Sequence, residues 1–405
     1  YRRLADVNSR NSDRMTSHIP NDPPPDRDDA ISAAYAAYET PQATVFDAAI
    51  TDEAVAAPQI TAAPHPHIGW AILWMFAFWV VQIGVSVAVA MVAMGLAIAQ
   101  GHNSATQIER AMANASVVMI PIGTLFSVIT SVVIAYIFYR RQFGVRLALR
   151  GMTRLQCLTS VLAVLPLAVI ASEITNCAGE VLPSFNAEVL SQFAASPWPI
   201  VFVAACLFPA IGEEIFCRGF LGRGLVANHG VVAGVLLASL LFGVMHIDPV
   251  QSVGAFVLGI GLHFVYLTTR SLLAPMLVHM LNNAFAFWLM QNYTWCPLPG
   301  LSPLPDDTPV HTPWGVMITA IVACAALLGV LYQTRTRWML ASDHAQDEGD
   351  QEWSPGYVTA ERPPRDVPCH AANAPMKYWL AAFVLLSYFA LLVTLAIESH
   401  AVATP

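Results

Sequence analysis

Charge is what this chain has least of. Charged residues make up 11% of its 405 residues, against about 25% in soluble globular proteins. A surface that water can solvate cannot be built from so little charge, so the sequence predicts an integral membrane protein. Lysine is almost missing: Lys377 is the only one, and arginine supplies the remaining positive charge. A net charge of -8 argues against nucleic acid as a partner. Cysteine is scarce and scattered, seven residues with no CxxC, which excludes a disulfide framework and a metal knuckle. Cys206, Cys217 and Cys324 read as small apolar packing residues. There is no internal repeat, and the first residues do not read as a secretory signal. What fills the chain instead is apolar: 56% of its residues are hydrophobic, and its mean hydropathy is +0.56.

Spanning about 30 Å of hydrocarbon takes roughly 17–25 apolar residues. Such runs lie at about 70–98, 115–138, 155–172, 198–220, 231–248, 251–269, 271–290, 314–333 and 376–397. The fold class expected is therefore all-α, a polytopic membrane bundle of about eight to nine transmembrane helices. The three runs between 231 and 290 have short connections, which leaves room for re-entrant segments. Residues 1–67, with ten Asp or Glu against five Arg, read as a disordered, acidic, Pro-rich tail. The membrane domain is expected over 68–335, with its core at about 195–290. Residues 336–375 are expected as a flexible polar loop, and 376–405 as an extra carboxyl-terminal span with a short tail.

Arginine orients the helices. Arg140, Arg141, Arg146, Arg150 and Arg154 crowd the connection after the second run, and Arg218, Arg223, Arg270, Arg335 and Arg337 follow later ones. The alternate connections are nearly bare: 99–114 holds only Arg110, while 173–197 and 291–313 hold none. The topology that satisfies this places the amino terminus in the cytoplasm, at the plasma membrane if the source is bacterial.

Three of these apolar runs carry polar groups. Glu213 and Glu214 are adjacent, with Arg218 following. A charge at the centre of a membrane helix costs about 2.5–3.5 kcal/mol on insertion scales. Glu214 and Arg218 are four residues apart and share a helical face, which suits a structural ion pair. Glu213 points elsewhere and is left free for chemistry. If the chain turns at Asn228-His229-Gly230, Glu213 and His246 are equidistant from the turn. At 1.5 Å per residue they come level on antiparallel neighbours and can share one water. Phe242 lies one turn before His246 and helps wall the pocket. His279 and Asn283 share a face, with Asn282 offset. Asp248 and His263 are expected as interfacial or capping residues, and His229 as a turn residue.

The motifs EExxxR (Glu213, Glu214, Arg218), FxxxH (Phe242, His246) and HxxxN (His279, Asn283) occur in this order. The set resembles the signature of the type II CAAX prenyl endopeptidases and their bacterial bacteriocin-processing and immunity relatives, the CPBP or Abi family. The resemblance covers about residues 195–290. It implies an intramembrane endopeptidase cutting a membrane-associated peptide or protein, CAAX-type or other. Within it Glu213 is the general base on water, His246 its helper, and His279 and Asn283 stabilise the oxyanion.

Other readings fit the same residues. The resemblance also covers non-catalytic immunity or regulatory membrane proteins. A proton-relaying transporter is a third reading, but paired half-repeats are missing. Zinc is the open question for cofactors. Glu213, His246 and His279 are of the right types and number for a catalytic site with one free position, yet there is no HExxH, and the donors must converge from three helices. The expected mechanism needs no metal.

The arginine asymmetry is tested with single-cysteine variants labelled from outside intact cells. A cysteine at 297–301 should react and one at 142–149 should not. Labelling of the second loop but not the first sinks the orientation.

Overall fold

In a computed structural model the described residues are 64–102, 104–301, 311–341 and 351–403. Nearly all of the predicted tail lies outside them. Apolar sequence becomes helix here because a backbone buried in hydrocarbon must satisfy its own hydrogen bonds. The long helices are α1 (Ile68–Ala99), α2 (Ala105–Tyr139) and α3 (Arg154–Gly179). After a short α4 (Ala187–Ala194) comes α5, a continuous helical stretch over Trp198–His229. Then follow α6 (Val231–Val244), α7 (Pro249–Thr269), α8 (Leu273–Asn292), α9 (Trp314–Gln333) and α10 (Tyr378–Ala403). Eight of them are long and apolar enough to cross a membrane, so the chain is a multi-pass, helical, integral membrane protein.

The exception is α6. The sequence run at 231–248 is long enough to span, but the helix has only 14 residues, about 21 Å at 1.5 Å per residue. Pro249 disfavours helical backbone at the residue before it, and Asp248 instead caps α7 by accepting from the Gln251 N–H at 2.9 Å. Between the helices Ile247 sits at φ +64°, a left-handed conformation that strains a β-branched residue. The turn that carries His246 is thus held out of regular helix.

Packing around α5 places the rest. The hairpin of α5 and α6 closes at Gly230, whose φ of +78° a residue with a Cβ would resist. On its other side α2 comes so close that a Cβ at Gly212 would lie 3.0 Å from the Val128 Cα. Further out, α3 packs on α7 and α9, and α9 on α10.

The connections sort onto two faces. On one, Arg150 donates to the carbonyls of Thr269 and Arg270 at 2.8 and 2.7 Å, and Gln156 donates to the Thr334 carbonyl at 3.0 Å. On the other, Ser172 and Asn176 donate to the Gly300 carbonyl at 2.6 and 2.9 Å, and Gln291 reaches the Ala194 carbonyl at 2.6 Å. Asp248 also belongs to this second face. Desolvation raises the pKa of its carboxyl, but hydrogen bonds from Gln251, Phe185, Ser184 and Asn186 outweigh that and hold it below the usual carboxylate range.

The expectation of a flexible polar loop at 336–375 needs correction where the residues are described. β1 (Thr336–Leu340) pairs antiparallel with β2 (Cys369–Asn373). Between them Glu361, 4% exposed, accepts from Arg223 at 2.7 Å and from Arg146 at 2.9 Å. Composition hid this because both partners lie far away in sequence. Removing one partner of a buried pair leaves an uncompensated charge, a loss of about 3–5 kcal/mol. Glu361→Ala should therefore lower the thermal unfolding midpoint in detergent by many degrees, whereas Arg337→Ala should leave it nearly in place. An unmoved midpoint in Glu361→Ala shows that the segment is not anchored this way.

Candidate active site

Of the predicted residues, Glu213, Glu214, Arg218, Phe242, His246 and His279 meet in one place, while the contacts of Asn282 and Asn283 lie elsewhere. In α5 the carboxylates lie in a short α-helical segment, Phe208–Glu214, flanked by wider π-helical segments, Phe202–Leu207 and Ile215–Gly222. π-helical turns are rare and recur at functional sites, since they rotate side chains out of regular register. The Asn283 amide donates to the Ala205 carbonyl of the first such segment at 3.0 Å.

Glu214 is wholly buried. Its Oε1 accepts from Arg218 at 2.7 Å and meets His279 Nδ1 at 2.8 Å. The other end of Arg218 donates to the Gly259 carbonyl at 3.2 Å, and its guanidinium stacks on the Phe242 ring at 4.2 Å. Such cation–π contacts strengthen when water is excluded. Phe242 also meets the rings of His246 and His279 edge-on, at 5.1 and 5.7 Å. It is 1% exposed and backs the two imidazoles, where the sequence reading had it on the pocket wall.

Glu213 differs in what it faces. Like the second oxygen of Glu214, its Oε2 is buried and has no hydrogen-bond partner. It faces His279 Nε2 at 3.8 Å and His246 Nε2 at 4.0 Å. These gaps exceed a direct hydrogen bond, and two bonds of about 2.8 Å to one shared water span about 4–4.5 Å. The protons can be assigned from the partners. His246 Nδ1 lies 2.9 Å from the Phe242 carbonyl, which only accepts, so Nδ1 carries a proton. A neutral His246 then turns the Nε2 lone pair toward Glu213. By the same logic His279 Nδ1–H donates to the Glu214 carboxylate, and its Nε2 donates only when the ring holds both protons. Asn283 retains a second amide N–H beyond the one on Ala205.

Zinc fits this arrangement poorly. Among the described residues, one trio of His, Cys, Asp or Glu brings ligand atoms within 4.8 Å of one another, and it is Glu173, Cys177 and His311. Glu213 lies within 4.0 Å of both imidazoles, but its trio with His246 and His279 does not come within 4.8 Å throughout.

A cavity of about 390 Å³ leads to the site between α1 and α2. Its walls are mostly apolar (Phe78, Val85, Val89, Met119, Ile120) and it ends on Glu213 and His246. Gln82 lines it too, with a buried Nε2 that lacks a partner. Gln82 was missed in the sequence, although an amide alone with Ser86 in a 32-residue apolar helix is itself a signal. Asn282 donates to Asn283 Oδ1 at 3.4 Å. His263 is corrected from an interfacial to a buried residue, 1% exposed. Its ring fills the space left by Gly222, where a Cβ would come within 2.3 Å of it.

Residues 195–285 match the family model described as type II CAAX prenyl endopeptidase Rce1-like. The matched segment is similar to that family, and it contains every residue of the three motifs. No curated protein and no solved structure matches the chain.

Because Glu214 holds both Arg218 and His279, Glu214→Gln should lower stability and turnover together. The expected result is a reduced unfolding midpoint and a peptidase rate reduced at least tenfold. A variant with normal midpoint and normal rate would show that this carboxylate does not organise the site.

Proposed function

We propose that the chain is an intramembrane endopeptidase that hydrolyses a peptide bond of a membrane-associated substrate without metal. The observation that carries this is the unpartnered, buried Oε2 of Glu213, 3.8–4.0 Å from two imidazoles at the end of a cavity flanked by lipid-facing helices. A water held there donates one O–H to Glu213 and the other to His246 Nε2, and its lone pairs remain free for the scissile carbonyl. As the C–O bond forms, Glu213 takes the proton. The oxyanion is met by Asn283 and by His279 in its imidazolium form, which Glu213 and Glu214 flank. Preorganised donors of this kind are most effective where water is excluded. Collapse breaks the C–N bond, and Glu213 returns its proton to the leaving amine.

The mostly apolar cavity suits a substrate that reaches the site while anchored in the bilayer, such as a CAAX-type carboxyl terminus. In this reading the face of Arg140–Arg154 is cytoplasmic.

The test uses purified, chelator-treated protein in lipid nanodiscs and a prenylated reporter peptide. Glu213→Gln should lower kcat/KM by about 10²–10⁴-fold, the usual contribution of a general base, with the unfolding midpoint unchanged. The chelated wild type should keep its rate. No cleavage by the wild type of any membrane-anchored peptide favours a non-catalytic role. Activity lost on chelation and restored by zinc alone would make His246 and His279 ligands.

A further inference from the structure

A second cluster of reactive side chains lies on the face opposite the Arg150 contacts and shares no residue with the site above. Glu173 and Cys177 sit one turn apart near the end of α3, and Glu180 follows that helix. His311 comes from the connection that enters α9. The ligand atoms of Glu173, Cys177 and His311 all lie within 4.8 Å of one another. His311 Nδ1 is 2.8 Å from Glu173 Oε1, and Cys177 Sγ is 3.7 Å from that same oxygen.

Two of the donors are already oriented from behind. His311 Nε2 meets Glu180 Oε1 at 2.8 Å, the carboxylate–histidine arrangement that fixes a metal-binding ring. Glu173 Oε2 accepts from the Thr312 backbone N–H at 2.6 Å, which leaves Oε1 pointing at the cluster. One nitrogen, one sulfur and one oxygen donor are a mixed set suited to a borderline cation. Two carboxylates and a thiol that loses its proton on binding supply the charge for a dication.

We propose that Glu173, Cys177 and His311 bind one zinc ion, with Glu180 orienting His311 and a water completing four-coordination. The ion ties the segment before α9 to the end of α3, and so closes one face of the bundle. Binding releases two protons to solvent, the Cys177 thiol proton and the one that His311 Nδ1 holds against Glu173 Oε1.

Cobalt reports on this site separately from Glu213, because a thiolate ligand gives cobalt a near-ultraviolet charge-transfer band and the Glu213 site has no sulfur. Full-length protein, reduced and stripped of metal, is titrated with cobalt in detergent. The expected result is a band that saturates at one equivalent and is bleached by zinc. The band should vanish in Cys177→Ser, weaken in affinity at least tenfold in His311→Ala, and persist in Glu213→Gln. Zinc should raise the unfolding midpoint of the wild type and of Glu213→Gln alike. A wild type with no band at millimolar cobalt and a midpoint unmoved by zinc overturns the proposal and leaves a carboxylate–imidazole–carboxylate latch. A band that survives in Cys177→Ser overturns it as well.

Discussion

Two carboxylates placed side by side in a membrane helix have to be answered by the structure around them, because neither can rely on water. Glu214 is answered completely on one oxygen: Arg218 and His279 both converge on it. Arg218 in turn needs more than one partner, and the Gly259 carbonyl and the Phe242 ring supply them. One buried ion pair thereby draws in α6, α7 and α8 and fixes how they face α5. Each carboxylate keeps one buried oxygen that no side chain satisfies, but that of Glu213 faces His246 and His279 at the end of the cavity. The same packing that neutralises Glu214 turns its neighbour toward the cavity.

Irregular backbone gathers at this point. α5 is π-helical on both sides of the carboxylates, and the turn after α6 holds Ile247 in a left-handed conformation. Strain of that kind costs about 1–3 kcal/mol per residue and persists only where surrounding contacts enforce it. Here Asp248 does so, tying the turn to α7 and to residues 184–186. Backbone away from regular helix is tolerated at membrane depth when protein groups satisfy it, as Asn283 does for Ala205.

Much of the site was legible because it obeys local rules. Glu214 and Arg218 pair through their four-residue spacing. Glu213 and His246 come level through the symmetry of a helical hairpin about Gly230, although α6 is shorter than its apolar run. Phe242 was placed correctly along the chain, and its edge-on contacts with both imidazoles are ones that spacing alone does not specify. Glu361 was invisible as part of anything, since its partners Arg146 and Arg223 lie more than a hundred residues away, and Gln82 gains its meaning only from the cavity that it lines with Glu213 and His246.

By itself the sequence determined that the chain lives in a membrane, how many membrane-spanning helices the described residues hold to within one, and which polar residues lie on them. These follow from composition and period, which are properties of neighbouring residues. It also determined the sorting of connections into two sets, because arginine density alternates along the chain. Only the tertiary structure decided that His279 leans on Glu214, so that its Nε2 donates only as the imidazolium. Only it decided that α1 and α2 leave a cavity ending on Glu213, and that His311 returns to Glu173 and Cys177. Each of these depends on distances between segments remote in sequence, and those are set by the packing of whole helices.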